Sequence, residues 1–189
     1  LFVGISNVRE YLPFFLLCLI PAGPAFAAVL FSMNRVLHGI ETSAWKDYRT
    51  GYVQDLQKKL ALAAIQSVLI WVFWTNVEFF SLQIPFFPLT VLFFLLFLGT
   101  VLMTPNLYLL AARYQMGVKD YLKGAMLLTI SKPALTFGNI IAAVFILMLL
   151  EIRAGTVILF MASIYGFLIV FMNRKVLGIL DRQAEGVEK

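Results

Sequence analysis

The sequence predicts an all-α membrane protein, a polytopic bundle of about five transmembrane helices within a single domain, residues 1–189. Hydrophobic residues make up 61% of the chain and charged residues only 13%, whereas soluble domains contain about 25% charged residues. The apolar residues also form runs long enough to cross a hydrocarbon core of about 30 Å. These runs lie at residues 12–37, 60–80, 88–112, 133–150 and 156–172.

The basic residues predict how the bundle is oriented in the cell membrane, with the lipid bilayer as its first partner. Of fifteen Lys and Arg residues, thirteen lie in the connections 35–59 and 113–132 and in the tail that begins at Arg174. Cytoplasmic loops carry the excess of Lys and Arg, so we expect the N-terminus outside and the C-terminus in the cytoplasm. This topology and anionic lipid explain the net charge of +5, and no nucleic-acid partner is required.

The first cytoplasmic connection predicts an amphipathic interfacial helix. In "TSAWKDYRTGYVQDLQKKL", Trp45, Tyr48, Tyr52 and Leu56 recur at helical spacing, and polar residues fill the positions between them. Such a helix lies in the membrane interface with its aromatic rings at headgroup level. We therefore expect the three rings to face the membrane or a protein partner.

The second cytoplasmic connection, "VKDYLKGAMLLTISKP", repeats this pattern. A helix is predicted to begin near Lys119, and Lys132 and Pro133 mark the entry into the fourth run. The similarity between the two halves of the chain has two interpretations. It is either a parallel repeat of two hairpins or, as we favour, the pattern that any bundle with positively charged cytoplasmic loops shows.

The first apolar run contains two prolines and a glycine near its middle, in "IPAGPAFAAVL". Pro24 suits the first position of a new helical segment, and Gly23 can take the conformations that a break needs. One interpretation is a discontinuous helix whose N-terminus faces a ligand near the membrane midplane. The other, which we favour, is a bend at Pro21 and Pro24 with small residues that let a neighbouring helix approach closely.

Three polar residues lie deep inside the apolar runs, namely Gln66, Asn106 and Asn139. Polar side chains are costly in lipid and tend to face a bundle interior or a cavity. Hydrogen bonds between helices are the interpretation that we favour. In the alternative interpretation, these three residues and the break in the first helix form one ligand site.

The sequence contains no recognisable catalytic or metal-binding motif. His38 and Cys18 are its single histidine and cysteine, so neither a disulfide nor a multi-cysteine metal site can form within one chain. A nucleophile elbow, a phosphate loop and a paired-histidine zinc motif are all missing. We therefore expect no enzymatic activity, no cofactor and no metal.

A family resemblance begins at the same break, in "GPAFAAVLFSMNRVLHGIETSAWKDYRTGYVQDLQKKLALAAI", and continues through Pro105, Arg113 and Pro133. In these features the chain resembles the YesL family of small bacterial membrane proteins, whose function is poorly defined. The resemblance implies about five spans and an association with carbohydrate uptake through sugar ABC transporters. It supplies no catalytic residue.

Two functions remain as alternatives. The resemblance implies an accessory membrane protein that partners the permease subunits of a sugar ABC transporter. The broken first helix instead indicates an independent small transporter or channel with a site near the midplane. A sealed bundle with an exposed aromatic face would favour the first function, and a pocket at Gly23–Pro24 with amide and aromatic side chains would favour the second. A homo-oligomer is compatible with both.

Overall fold

The computed structural model describes residues 8–40, 43–83, 85–152 and 160–174. Throughout these ranges the chain is helical, with short connections and no strand. A π-helical turn, Phe79–Gln83, extends the fourth helix. The helices are α1 Val8–Leu19, α2 Ala22–Leu37, α3 Ala44–Val53, α4 Leu56–Glu78, α5 Phe87–Arg113, α6 Val118–Ser131, α7 Pro133–Ile152 and α8 Phe160–Arg174.

Three helical stretches are long and apolar enough to cross a membrane, namely Tyr11–Leu37, which joins α1 to α2, Leu56–Gln83 and Phe87–Arg113. A fourth candidate is the pair α6 and α7, which meet at an angle of 94°. Helix α8 is apolar but too short to count alone, and the start of the predicted fifth run, at residues 156–159, lies outside the described residues. The described chain therefore has three or four candidate spans, and the count of five stays a prediction.

Helix α5 is the centre of the bundle, since it packs against α2, α4, α6 and α7. Its first half carries exposed apolar side chains such as Leu92 and Leu95, as expected for a helix that faces lipid. Its second half is buried, and Leu107 and Tyr108 belong to two separate core clusters. The tightest packing therefore lies toward the C-terminal end of α5.

Helices α2 and α3 form an antiparallel hairpin, closed by a turn in which Gly39 has a φ of +66°. The Arg35 side chain pairs with the buried carboxylate of Asp47 at 3.1 Å. A Cβ atom added at Gly51 would lie 2.9 Å from the Phe31 ring, so glycine allows the two helices to approach closely. The hairpin holds the predicted cytoplasmic helix against the end of the first span.

The elbow between α3 and α4 is held by charged groups. Asp55 takes the left-handed conformation, with a φ of 52°, and its carboxylate pairs with Lys58 at 3.0 Å. The buried ammonium of Lys59 donates a hydrogen bond to the Gly51 carbonyl at 2.6 Å. Gly51 lies in the last turn of α3, where carbonyls lack helical partners and a cation is favourable.

The predicted helix in the second connection is confirmed as α6, which ends at Ser131. Lys132 follows as its C-cap, and Pro133 opens α7. Proline suits this place because a first helical residue needs no N–H donor. The structure therefore has a helix boundary at Lys132–Pro133 as predicted, and entry into a fourth span there stays a prediction.

Candidate functional site

The first candidate span, Tyr11–Leu37, is interrupted by one turn at Ile20–Pro21, between α1 and α2. The turn is tight, since Ile20 N–H donates to the Leu17 carbonyl and Gly23 N–H to the Ile20 carbonyl. Pro24 is the third residue of α2, so the expectation that it opens the new segment is wrong by two positions. Its missing donor is harmless there, because the first four N–H groups of a helix have no partner within the helix.

Gly23 serves the break through its size and not through its backbone freedom. Among the described glycines only Gly39 has a positive φ, so the expected special conformation at Gly23 is not used. A Cβ atom added at Gly23 would lie 2.6 Å from the Tyr108 hydroxyl oxygen and 2.7 Å from the Ala63 Cβ. Glycine thus lets α4 and α5 approach the break, as the packing interpretation predicts.

A partly open cavity of about 500 Å³ lies directly beside the break. Six helices form its wall, and Gly23 and Gln66 both belong to it. Most of the wall is aliphatic or aromatic, and none of the described side chains in it is charged. Residues that define it include Leu16 and Leu19 from α1, Gly23 and Phe26 from α2, Ala63, Gln66, Ser67 and Ile70 from α4, Thr104 and Tyr108 from α5, Ala143 and Ile146 from α7, and Met161 and Tyr165 from α8.

Three aromatic rings shape one side of this cavity. The Phe26 ring stacks on Tyr165 with centroids 5.7 Å apart and meets Tyr108 edge-on at 5.8 Å. Both arrangements are favoured by the charge distribution of aromatic rings. The rings therefore form a firm wall that connects α2, α5 and α8.

Among the described residues of the cavity wall, Gln66 is the one amide side chain, and it is only 4% exposed. Its Nε2 donates to Thr104 Oγ1 and, at 3.4 Å, to the Thr100 carbonyl. Its Oε1 has no hydrogen-bond partner among the described residues. Gln66 therefore ties α4 to α5 with one end of its amide and leaves the other end unsatisfied.

A second polar feature is the asparagine row, formed by the buried side chains of Asn106, Asn139 and Asn173. Asn173 Nδ2 donates to Asn139 Oδ1 at 3.2 Å, and Asn139 Nδ2 donates to Asn106 Oδ1 at 3.1 Å. Asn106 Nδ2 completes the row by donating to Thr129 Oγ1 at 3.0 Å. The row therefore joins α8, α7, α5 and α6 through their interiors.

The structure separates the polar residues that the sequence suggested as a single site. Gln66 lies with Gly23 at the cavity, whereas Asn106 and Asn139 belong to the row and are not in the cavity wall. For these two asparagines the expected hydrogen bonds between helices are found. Asn173 was missed because it lies one residue beyond the last predicted apolar run, 156–172. Thr104 was also missed, although it directly precedes Pro105.

The aromatic side chains of α3 form a stacked face, which we call the α3 aromatic face, of Trp45, Tyr48 and Tyr52. Successive ring centroids are 6.2 Å apart, and Trp45 is 74% exposed. The opposite side of α3, with Asp47 and Gly51, is buried against α2. The predicted helical pattern is thus present, with the Trp45 ring exposed and the Tyr48 and Tyr52 rings half-buried.

A shallow groove separates this face from the first span. Its wall includes Pro21 and Ala25 together with Arg49 and the aromatic rings of α3. Pro21 therefore borders the groove, whereas Gly23, two residues later, borders the cavity. Pro24 itself is buried.

The described residues offer no group of three or more His, Cys, Asp or Glu side chains that could hold a metal ion. The chemistry available in the cavity is therefore hydrogen bonding through one amide and a few hydroxyl groups, within an otherwise apolar wall. Comparisons with protein-family models, curated proteins and solved structures find no match to this chain. The resemblance to the YesL family accordingly stays a prediction.

Proposed function

We propose that this membrane protein binds a small, mainly apolar molecule in the cavity at the broken first span, as an independent carrier or transporter. The observation that carries the proposal is the cavity itself, which lies where α1 and α2 meet. Its volume of about 500 Å³ falls within the range of about 300–1,000 Å³ that is typical of ligand pockets. An uncharged wall with a few polar groups is also typical of such sites.

The composition of the wall supports an apolar ligand over a sugar. A sugar presents many hydroxyl groups, and each buried polar group without a hydrogen bond costs about 1–3 kcal/mol. Gln66, Ser67 and Thr104 with the two tyrosine hydroxyls are too few to satisfy them. An apolar molecule instead gains about 25 cal/mol for each Å² removed from water.

The proposal includes the topology that the sequence indicates. We place five spans in the cell membrane, with the N-terminus outside, α3 and α6 at the cytoplasmic interface, and the C-terminus inside. The concentration of Lys and Arg at these two helices and in the tail supports this orientation. The bent pair α6–α7 then enters the membrane only from Pro133 onwards.

Photolabelling tests the proposed ligand site. We expect an octane that bears a diazirine ring to label the cavity wall at Ile146 and Tyr165, and unlabelled octane to compete for this labelling. Labelling at the exposed residues Leu92 and Leu95 should rise linearly with the probe concentration, and unlabelled octane should not reduce it. Lipid around the protein does not offer a fixed number of binding sites. Cavity labelling that cannot be saturated would contradict the proposal.

The α3 aromatic face supports a second candidate, the accessory role beside sugar ABC permease subunits. Its rings are stacked, and Trp45 is exposed while Tyr48 and Tyr52 are half-buried; aromatic residues are enriched at protein interfaces. Basic residues such as Lys46 and Arg49 lie on the same helix. Anionic lipid would also satisfy this combination, so the face alone does not identify its occupant.

Changing Trp45, Tyr48 and Tyr52 together to serine separates these occupants. If the face binds a permease, the partner should be lost on co-purification from native membranes while the variant stays inserted. The buried side of α3 is untouched, so we expect the thermal unfolding midpoint in detergent to change little. A permease that still co-purifies would remove the docking role and leave lipid anchoring.

A further inference from the structure

We infer that the shallow groove between α3 and the first candidate span binds one anionic phospholipid, with the phosphate at Arg49 and an acyl chain along the groove toward Pro21. The groove has a volume of about 560 Å³, within the range of about 300–1,000 Å³ that is typical of ligand pockets. None of the described residues belongs to both the groove and the cavity at Gly23. The inference is therefore separate from the proposed ligand in that cavity.

The direction of the groove follows from the packing of α2 against α3. The two helices are antiparallel, since Arg35 near the end of α2 pairs with Asp47 near the start of α3 at 3.1 Å. Farther along α3, a Cβ atom added at Gly51 would lie 2.9 Å from Phe31, one turn earlier in α2. The C-terminal end of α3 therefore points toward the break in the first candidate span.

The groove consequently has a charged part and an apolar part. Arg49 precedes Tyr52 and Val53 in α3, and all three residues belong to the groove wall. The wall then continues along α2 through Ala25 to Pro21, next to the break. The cation thus lies on the side away from the break, and the wall between the cation and the break is aromatic or aliphatic. A phospholipid has the same arrangement, with a charged headgroup followed by apolar chains.

Arg49 offers a positive charge that no described carboxylate neutralises. The residue is exposed, and it takes part in neither of the ion pairs found among the described residues. The two acidic residues of this region are already paired, Asp47 with Arg35 and Asp55 with Lys58. An anion from outside the chain is therefore the complementary partner.

A phospholipid matches both parts of the groove better than a free anion does. A guanidinium can donate two parallel hydrogen bonds to a phosphate, and anionic lipids attract Lys and Arg near the membrane surface. The stacked rings of the α3 aromatic face, with successive centroids 6.2 Å apart, offer an apolar surface that an acyl chain can cover. Free phosphate would leave that surface uncovered.

Native mass spectrometry of the purified protein in detergent tests the site with two lipids that differ only in the headgroup. We expect dioleoyl phosphatidylglycerol to bind as a single copy. It should half-saturate at a concentration at least about fivefold lower than dioleoyl phosphatidylcholine, as the attraction of one cation to an anionic headgroup implies. Inorganic phosphate should not displace the lipid, because it has no acyl chain.

Two variants that each lose one exposed cation assign the preference to the groove. Arg49→Gln should bring the two lipids within about twofold of each other, because the remaining attraction is not localised at the groove. Lys123→Gln removes the same charge from α6, outside the groove wall, so the preference should persist. The ratio of the two lipids is measured within each variant, which makes it independent of a general change in stability.

The triple change of Trp45, Tyr48 and Tyr52 to serine tests the apolar part of the site. It removes the rings that the acyl chain is inferred to cover but keeps Arg49. Both lipids should therefore bind more weakly, while phosphatidylglycerol stays preferred. Unchanged binding of both lipids would contradict the inferred position of the acyl chain.

The remaining outcomes separate a lipid site from its alternatives. Equal half-saturation of both lipids in the wild type would overturn the recognition of the phosphate. An equal loss of preference in Arg49→Gln and Lys123→Gln would show only a general attraction to the positive charge of the protein, and would overturn the site. Absence of saturable lipid binding would also overturn it and leave the groove to a protein partner. None of these results depends on octane labelling in the cavity, so this inference and the proposed function can fail separately.

Discussion

Replacing Gly23 by leucine is expected to lower the free energy of unfolding in detergent by about 1–3 kcal/mol, the usual cost of overpacking. The first added carbon would already lie 2.6 Å from the Tyr108 hydroxyl oxygen and 2.7 Å from the Ala63 Cβ. Neither neighbour can move freely. Tyr108 is buried beside Phe26, and the Ala63 Cβ atom is bonded directly to the backbone of α4. Thermal unfolding followed by circular dichroism measures the loss.

Gly99→Leu is the matched control for this change. Gly99 lies in α5, and a Cβ atom added there meets nothing within 4 Å. Glycine is less favourable in a helix interior than alanine by about 0.8–1 kcal/mol, and leucine ranks close to alanine, so this variant should be as stable as the wild type or more so. If Gly23→Leu unfolds at the wild-type midpoint, α4 and α5 do not approach the break as described.

Replacing Asn139 by leucine should lower the free energy of unfolding by about 1–3 kcal/mol, because Asn139 is the middle of the asparagine row. The change removes both of its hydrogen bonds, to Asn106 at 3.1 Å and to Asn173 at 3.2 Å. It also leaves the Asn106 oxygen buried without this donor. Leucine keeps the branched shape of asparagine but is larger, so some overpacking at this buried site adds to the loss.

Asn76→Leu makes the same chemical change where no other helix is involved. Asn76 Nδ2 donates at 2.8 Å to the Val72 carbonyl of its own helix, and we expect its loss to change stability by less than about 0.5 kcal/mol. The difference between the two variants isolates the row. Equal unfolding midpoints for both variants would show that the row contributes no stability.

The sequence predicted the helices well because their signals are local. The helical spacing of Trp45, Tyr48 and Tyr52 predicted α3, and Lys132–Pro133 predicted the boundary between α6 and α7. Apolar runs predicted the long helices, since twenty apolar residues have few alternatives in a membrane. The number of spans was harder to predict, because the prediction assumed one span for each apolar run. The bent pair α6–α7 and the short helix α8 do not fit this assumption simply.

The candidate site was only partly predictable, because its residues meet through tertiary packing. Gln66 and Gly23 are distant in sequence, and nothing local shows that they share a wall while Asn106 and Asn139 lie elsewhere. The sequence left two roles open for Gly23, backbone freedom and small size, and the structure shows the second, which the favoured packing interpretation had predicted. Which one a site uses depends on its neighbours.

The central claim is that the cavity, and not the bilayer surface, holds the ligand. The most direct test is photolabelling with the diazirine-bearing octane in two variants of α7, Ala143→Phe and Val144→Phe. Ala143 belongs to the cavity wall, whereas the adjacent Val144 is 49% exposed and does not. We predict that Ala143→Phe fills the cavity and abolishes the saturable labelling at Tyr165, while Val144→Phe retains it. Equal saturable labelling in both variants would contradict the claim.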